Sequence, residues 1–316
     1  MPRFYAKILT MKKLKIAFAG TPDFAVPSLE NLAADPAIEI QKVFTQPDRP
    51  VGRGQKIAPP PIKILAEKLN LPVEQKKLTP DNFPKDLDFL AVVAFGQILP
   101  TEVLDLPKFG CVNLHASLLP QFRGASPIQS AILENVEKTG TSFQKISTKL
   151  DAGDVFASFE ILLKNENSVE LSEKLARLGA EKFPAVLKKI ASGEISAIPQ
   201  NSAEATSCSK IQKSDGRIAW QKDSTEILDR KKRAFAGWPG VWTIFENQNL
   251  KLVDFLVAEK FEGKKAGEVF EFEKRIFVAT IDGAIQLKKI QLAGKKILAT
   301  EDIVRGNSNF VGAELG

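Results

Sequence analysis

Three apolar runs near the start of this chain of 316 residues constrain its fold more than any other feature. They span residues 15–19, 38–44 and 87–95, and none alternates cleanly between apolar and polar positions. Such runs are typical of parallel strands that are buried on both faces of a sheet. Helical patterns lie between them at residues 24–32 and 62–69. The order β-α-β-α-β therefore predicts an open, mostly parallel α/β sheet, with a site beyond the carboxyl ends of its strands.

A polar stretch, residues 200–214, has no sustained period and is typical of a linker. Before it, an amphipathic helix is predicted to begin near Ser168 and to end at Gly193. After it come one helical pattern and five short β-rich segments, at residues 224–235, 241–245, 251–258, 267–271, 276–281 and 284–290. Short strands at this spacing predict a small β-barrel, a geometry often used to hold nucleic acid.

These patterns divide the chain into four segments. We expect residues 13–200 to form the first domain, residues 201–214 the linker and residues 215–316 the barrel domain. Residues 1–12 are too short and too polar for a secretory signal, so we expect a disordered extension, with Met11 as an alternative start.

Histidine and cysteine are scarce, which restricts the chemistry that is open to the chain. His115 is the one histidine, so a centre with two or three histidine ligands is excluded, and we expect no metal. Cys111 and Cys208 are too few for a disulfide framework, which favours a reducing cytoplasm. No apolar run approaches the roughly 18 residues of a membrane span. The net charge of +6 permits an anionic partner without identifying one.

The segment around His115 carries the clearest chemical signal. If residues 111–115 form a strand, Cys111, Asn113 and His115 point to one face. Asn113 and His115 then lie roughly 7 Å apart at Cα and can converge on one small group. Cys111 is too far from the imidazole to act with it and is interpreted as packing. An amide and an imidazole aimed at one carbonyl suit acyl transfer, although a structural histidine beside a hydrogen-bonding asparagine would give the same pattern.

Asp151 is the candidate third member of this group. A carboxylate beside an imidazole fixes its tautomer, and the small residues Ala152 and Gly153 would let backbone approach a ligand. A common turn would also account for this segment. With Asp154 nearby, a cation site is a further alternative, which the lack of other carboxylates in the cluster disfavours.

The long segment of residues 46–61 is predicted to be structureless. It holds Arg49, Arg53 and Lys56 against the single acid Asp48. It is either a solvated loop or a contact for a phosphate backbone, which arginine and lysine neutralise without reading sequence. The turn after the first strand lacks the glycine pattern of a dinucleotide site.

Several stretches of the sequence resemble the methionyl-tRNA formyltransferase family, within the folate-dependent formyltransferases. They are IAFAGTPDFAVP from Ile16, TQPDRPVGRG from Thr45, VVAFGQILP from Val92 and VNLHASLLPQFRGASPI from Val112. The resemblance continues after the linker in RIAW from Arg217, RAFAGWPGVW from Arg233 and AGKK from Ala293. One departure is Ala236-Gly237, where the family usually has Asn-Pro before Trp-Pro.

The resemblance implies a Rossmann-like catalytic domain, followed by an OB-like carboxyl domain that binds tRNA. It implies transfer of the formyl group of 10-formyltetrahydrofolate to the α-amine of methionyl initiator tRNA, by a cytoplasmic enzyme that we expect to be a monomer. The implied site residues are Asn113, His115 and Asp151 for catalysis, Ser117, Leu118, Leu119, Pro120, Phe95, Gly96 and Ile98 for the folate, and Arg49, Arg53 and Lys56 for tRNA.

Two alternatives to this function stay open at this point. A related formyltransferase could use the same three catalytic residues on the amine of a sugar nucleotide or of a ribonucleotide. A non-catalytic RNA-binding protein could use the barrel alone.

Overall fold

The apolar runs do form strands in the computed structural model, which describes residues 13–52, 54–258, 261 and 263–316. The expected extension, residues 1–12, and Arg53 lie outside the described residues. The strands are β1 (Leu14–Gly20), β2 (Ile38–Phe44), β3 (Arg49–Val51), β4 (Lys56–Ala58), β5 (Val73–Glu74), β6 (Phe89–Val93), β7 (Cys111–His115), β8 (Arg123–Gly124), β9 (Lys138–Lys145), β10 (Val155–Leu162), β11 (Ser207–Cys208), β12 (Trp242–Phe245), β13 (Gln248–Ala258), β14 (Val269–Phe272), β15 (Arg275–Ala279), β16 (Ala284–Leu292) and β17 (Leu298–Ala299).

The described helices match the predicted patterns to within two residues at 26–34, 61–68, 168–192 and 225–234, and three more were not predicted. They are α1 (Val26–Ala34), α2 (Pro61–Lys68), α3 (Thr101–Leu104), α4 (Pro127–Leu133), α5 (Ser168–Ser192), α6 (Thr225–Ala234) and α7 (Thr300–Gly306). The long helix α5 stops one residue before Gly193, whose φ of +76° is the left-handed conformation that ends many helices. Within the described ranges, no helix is both long and apolar enough to cross a membrane.

Seven strands form the first sheet, in the order β10-β9-β7-β6-β1-β2-β5. Strand β1 pairs in parallel with β2 and β6, and β6 pairs in parallel with β7. The alternate residues of β1 lie in two different buried clusters: Ile16 and Phe18 in one, Ala17 and Ala19 in the other. Burial on both faces explains why these strands lack alternation in the sequence. The predicted mostly parallel α/β sheet is confirmed.

Two strands of this sheet were not predicted. Strand β9 pairs antiparallel with β7, and β10 follows it at the edge of the sheet. The eight residues of β9 include three hydroxyl side chains and one glycine, and β10 alternates between exposed and half-buried positions for most of its length. Strand β9 has no apolar run, whereas β10 was not singled out although six of its eight residues are apolar.

The prediction that residues 46–61 are structureless is wrong. Strands β3 and β4 pair antiparallel within this segment, with Arg49 opposite Ala58 and Val51 opposite Lys56. Each strand has only three residues, and nearly all of these are exposed. Backbone pairing, rather than burial of apolar side chains, therefore defines this hairpin, and the apolar pattern could not reveal it.

The carboxyl-terminal part of the chain holds a six-stranded sheet, with the path β12-β13-β16-β15-β14 and β17 beside β16. Each pairing within it is antiparallel. One face packs around a core that includes Leu250, Leu252, Phe255, Ile285 and Leu287. The predicted β-rich domain is confirmed as a curled, half-barrel sheet.

The chain divides into two compact units that each draw on more than one segment. The first unit contains residues up to Gly124, Thr139–Ile161 and Ser172–Ser207. The second contains Ala125–Lys138, Leu162–Leu171 and Cys208–Gly316. The residues predicted to carry the chemistry belong to the first unit.

Candidate active site

Strand β7 delivers Asn113 and His115 to the carboxyl end of the central sheet. It lies between β6 and β9, and its alternate residues Val112 and Leu114 face a different buried cluster from Cys111. Asn113 and His115 therefore share a face, as predicted. The Asn113 side chain is half-buried and makes no hydrogen bond to another described residue, so its amide is available to a ligand.

The His115 imidazole is buried, and one of its nitrogens, Nε2, is held by a hydrogen bond. Its Nε2 atom lies 2.9 Å from the carbonyl oxygen of Phe122. Because a carbonyl can only accept, Nε2 carries a proton and donates it. Its Nδ1 atom faces Asp151, at 3.7 Å from Oδ1. That distance is too long for a hydrogen bond.

Asp151 is held by donors other than the imidazole. Its Oδ2 accepts the backbone N–H of Gly124 at 2.9 Å, and its Oδ1 accepts Nε2 of Gln144 at 2.9 Å. The backbone φ of Asp151 is +48°, in the left-handed region where aspartate is enriched. Asp151 therefore lies beside the His115 ring, as expected. The hydrogen bond that orients the ring, however, is made to the Phe122 carbonyl.

A serine that the sequence did not single out anchors the segment after β7. Ser142 lies opposite His115 in the pairing of β7 with β9. Its hydroxyl donates to the carbonyl of Ser117 at 2.7 Å and accepts the N–H of Leu119 at 3.0 Å. Ser117 is fully buried, whereas Leu118, Leu119 and Pro120 are half-buried. The three residues predicted beside Ser117 therefore form a fixed, partly open wall.

The segment after β6 is joined to those after β1 and β2. The carbonyl oxygen of Phe95 accepts the Thr21 hydroxyl at 2.9 Å and Nε2 of Gln46 at 3.2 Å. The Phe95 side chain is buried, Gly96 is exposed and Ile98 is 91% exposed. Three neighbouring parallel strands thus bring their carboxyl ends together, which is where open α/β sheets bind ligands. Thr21 and Gln46 were missed, because only the strand order places them beside Phe95.

Two of the predicted cations, Arg49 and Lys56, lie on the β3–β4 hairpin. Arg49 and Lys56 are exposed, and Nη2 of Arg49 donates to Oε1 of Gln46 at 2.8 Å. At the base of the hairpin, Asp48 accepts Nε2 of Gln75 at 2.7 Å and Nζ of Lys63 at 2.9 Å. These contacts, first from Gln75 and then from Lys63, hold the pKa of Asp48 below its usual value.

Cys111 is inert in this setting. Its side chain is 1% exposed, and burial raises the pKa of its thiol to about 12. The thiolate is the nucleophilic form of cysteine, so Cys111 contributes packing, as predicted. Among the described residues, no group of three or more His, Cys, Asp or Glu side chains could hold a metal ion.

The arrangement can act on a carbonyl without a nucleophilic side chain. The Asn113 amide is an available donor, and the His115 ring can add a second donor only at Nδ1, because its Nε2–H is engaged by the Phe122 carbonyl. Donors fixed in advance stabilise a developing oxyanion. The same imidazole can carry a proton at Nδ1, next to the Asp151 carboxylate.

Comparisons with known proteins agree with this chemistry. Residues 13–187 match the formyl transferase family model, and residues 210–308 match the model of the formyl transferase carboxyl-terminal domain. The methionyl-tRNA formyltransferase of a Sulfurihydrogenibium species is 40% identical over 93% of this chain and 97% of that protein. The enzyme of the same name from Methylococcus capsulatus is 39% identical over 96% of this chain and 100% of that protein.

A solved structure shares the fold at lower identity. WlaRD, a sugar 3N-formyl transferase crystallised with dTDP and 5-N-formyl-THF, aligns with a TM-score of 0.65 and 20% identity, over 90% of this chain and 99% of that chain. This likeness shows a shared fold. The chain belongs to the methionyl-tRNA formyltransferase family of formyl transferases.

Proposed function

We propose that this chain transfers the formyl group of 10-formyltetrahydrofolate to the α-amine of methionyl initiator tRNA, for translation initiation in the cytoplasm. The observation that carries this proposal is the convergence of Asn113, His115 and Asp151 at the end of β7. The full-length relatives named methionyl-tRNA formyltransferase support the choice of acceptor. We further propose that the enzyme works as a monomer.

Asn113 and Nδ1 of His115 stabilise the transition state by donating to the oxygen of the formyl group as the amine attacks its carbon. The bond from that carbon to N10 of the folate then breaks, tetrahydrofolate leaves, and the proton that the amine loses passes to the leaving nitrogen. The amide of Asn113 is free to make this contact, and the ring of His115 is already fixed through Phe122. Asp151 faces Nδ1 of the ring at 3.7 Å. An α-amine has a pKa of about 8, so much of it is already nucleophilic at neutral pH. Positioning and oxyanion stabilisation therefore contribute more than base catalysis.

The formyl donor is proposed to lie between the segments after β6 and β7. Phe95, Gly96 and Ile98 form one side, where the Phe95 carbonyl is fixed by Thr21 and Gln46. The partly open wall of Leu118, Leu119 and Pro120 forms the other side, anchored through Ser142. Apolar walls with a few fixed polar groups suit a flat heterocyclic ligand.

The tRNA is proposed to contact the exposed cations of the β3–β4 hairpin. Arg49 and Lys56 extend from it, and Arg53 lies between them in the sequence. Such side chains neutralise phosphates and position an RNA without reading its bases. The OB-like carboxyl domain supplies a second surface to the same RNA. If the acceptor were a sugar nucleotide, neither the hairpin cations nor the carboxyl domain would have an evident function.

The test is formylation of a defined acceptor. Methionyl initiator tRNA and 10-formyltetrahydrofolate are incubated with the enzyme, and the released aminoacyl group is weighed by mass spectrometry. We expect one formyl group on methionine from charged tRNA and none on free methionine. Formylation of a dTDP-amino sugar in place of methionyl-tRNA, or RNA binding without transfer, would overturn the proposal.

A further inference from the structure

Gln200 joins the two segments that surround the His115 imidazole. Its Nε2 donates to the carbonyl of Asp151 at 3.0 Å and to the carbonyl of Gly153 at 2.6 Å. Its Oε1 accepts Nε of Arg123 at 3.0 Å and Nη2 of Arg123 at 2.8 Å. Both amide hydrogens and both lone pairs of the amide oxygen are therefore engaged.

Each residue of the segment 122–124 takes part in hydrogen bonding that bears on the site. The carbonyl of Phe122 accepts Nε2 of His115, the side chain of Arg123 donates to Gln200, and the N–H of Gly124 donates to the Asp151 carboxylate. Gln200 and the Asp151 carboxylate thus connect this segment to residues 151–153 at two independent points. A displacement of either segment would change the position of a group that contacts the imidazole.

The position of Gln200 is itself fixed. Ile198, two residues earlier, exchanges two backbone hydrogen bonds of 2.9 Å with Val155 at the start of β10. The residues that Gln200 holds need such support, because Asp151 has the sparsely populated φ of +48°. Gln144 adds a third restraint, from β9 to Oδ1 of Asp151.

We propose that Gln200 is a positioning residue for formyl transfer, one that fixes Asp151 and the Phe122 carbonyl on either side of the His115 ring. The kinetic test of this inference rests on the proposed function, whereas the test by the NMR signals of His115 does not. A misplacement of about 1 Å at a catalytic group can cost roughly 10²-fold in rate. Loss of Gln200 should therefore lower kcat and leave the binding of both substrates nearly unchanged.

Two substitutions separate the two sides of the amide. Gln200→Met keeps the length of the side chain and removes every hydrogen bond of the amide. Gln200→Glu keeps an acceptor for Arg123 but places a carboxylate oxygen against the carbonyls of Asp151 and Gly153. We expect kcat to fall about 10-fold to 100-fold in both variants, with the KM for tRNA and for the folate changed less than threefold. Gln41→Met, at a hydrogen-bonded glutamine on β2, is the matched control and should keep wild-type kinetics.

Wild-type kcat in the Gln200→Glu variant would overturn the proposal, because pairing with Arg123 would then suffice. Equal kcat in the Gln200→Met variant and the wild type would overturn it as well. If circular dichroism shows the methionine variant to be unfolded, the glutamate variant carries the test, since its contact with Arg123 is retained.

The single histidine gives a readout that needs no substrate. In tag-free protein labelled with ¹⁵N-histidine, the imidazole signals belong to His115 alone. We expect the wild type to show the Nε2–H form and the Gln200→Met variant to show shifted or mixed signals. A purely structural role for Gln200 would lower the melting temperature and leave these signals unchanged, which would contradict the proposal. Absence of formylation by the wild-type enzyme, with the imidazole signals still altered in the variant, would count against the proposed function alone.

Discussion

Substitution of Gly153 by alanine tests whether the segment that carries Asp151 must stay where it is. A Cβ atom at Gly153 would lie 1.7 Å from the carbonyl oxygen of Lys145. Raising that separation to 3.0 Å, the lower limit for real Cβ contacts, requires a movement of 1.3 Å. Lys145 cannot yield easily, because it lies on β9, paired with Val112 of β7. Its N–H also donates to the carbonyl of Asp154 at 2.8 Å. We therefore expect residues 151–153 to move.

A movement of this size would disturb three contacts at once. The two hydrogen bonds from Gln200 end on this segment, and Asp151 faces His115 from it. At roughly 10²-fold in rate for about 1 Å of misplacement, kcat should fall by about two orders of magnitude. The overpacking itself should cost about 1–3 kcal/mol of the free energy of unfolding, so the enzyme should still be folded at 25 °C.

The assay is steady-state formylation of methionyl-tRNA, run beside thermal unfolding of the same preparations. Gly306→Ala is the matched control, because no atom lies within 4 Å of the Cβ that it would introduce, and it should keep wild-type kcat. A folded Gly153→Ala enzyme with kcat within threefold of the wild type would refute the reasoning, since the site would then tolerate the movement.

Three further predictions concern a thiol, a carboxylate and a cation outside the catalytic group. Burial raises the pKa of Cys111 to about 12, so iodoacetamide at pH 8 should leave it unmodified in the native protein, and peptide mass mapping that found it alkylated would contradict this. Hydrogen bonds from Gln75 and Lys63 hold the pKa of Asp48 below its ordinary 3.8, so they stabilise the fold above that pH and lose their effect as the pH falls through the lower folded value. The difference in melting temperature between the wild type and Asp48→Asn should therefore narrow in acid, and a constant difference would count against the assignment. Arg49→Ala should weaken tRNA binding and leave folate binding unchanged. It should also reduce by about one the slope of log affinity for tRNA against log salt concentration. A tRNA titration identical to that of the wild type would show that Arg49 does not contact the tRNA.

Much of this site could be predicted because it follows one strand. The spacing of Asn113 and His115 along β7 indicates a shared face, since the side chains of a strand alternate with a period of two. The buried parallel strands could be recognised for a similar reason, because each is a local run of apolar residues. Asp151 was expected beside the imidazole because a carboxylate can orient the ring. The strand β9, which leads the chain to Asp151, was not predicted.

The residues that support the site escaped prediction because long-range contacts define them. Ser142 and Gln144 act through the register of β9 against β7, and β9 has no apolar run of its own. Gln200 lies in a polar stretch with no period, and it acts on partners 49 and 77 residues away in the chain. The β3–β4 hairpin is held by backbone pairing of exposed residues, which leaves no hydrophobic signal. Sequence periodicity reports the burial of apolar side chains, whereas these contacts are made by polar side chains and by the backbone.

The central claim is that Asn113 and His115 stabilise the oxyanion during formyl transfer to methionyl-tRNA. The most direct measurement is the single-turnover rate of formyl transfer at saturating substrates, for the wild type, Asn113→Ala and His115→Asn. We predict that the wild type formylates the methionyl ester and that each variant is slower by roughly 10²-fold or more, as for loss of an oxyanion donor, while binding of both substrates is retained. Transfer by either variant at the wild-type rate, or no formyl group on methionine with the wild type, would contradict the claim.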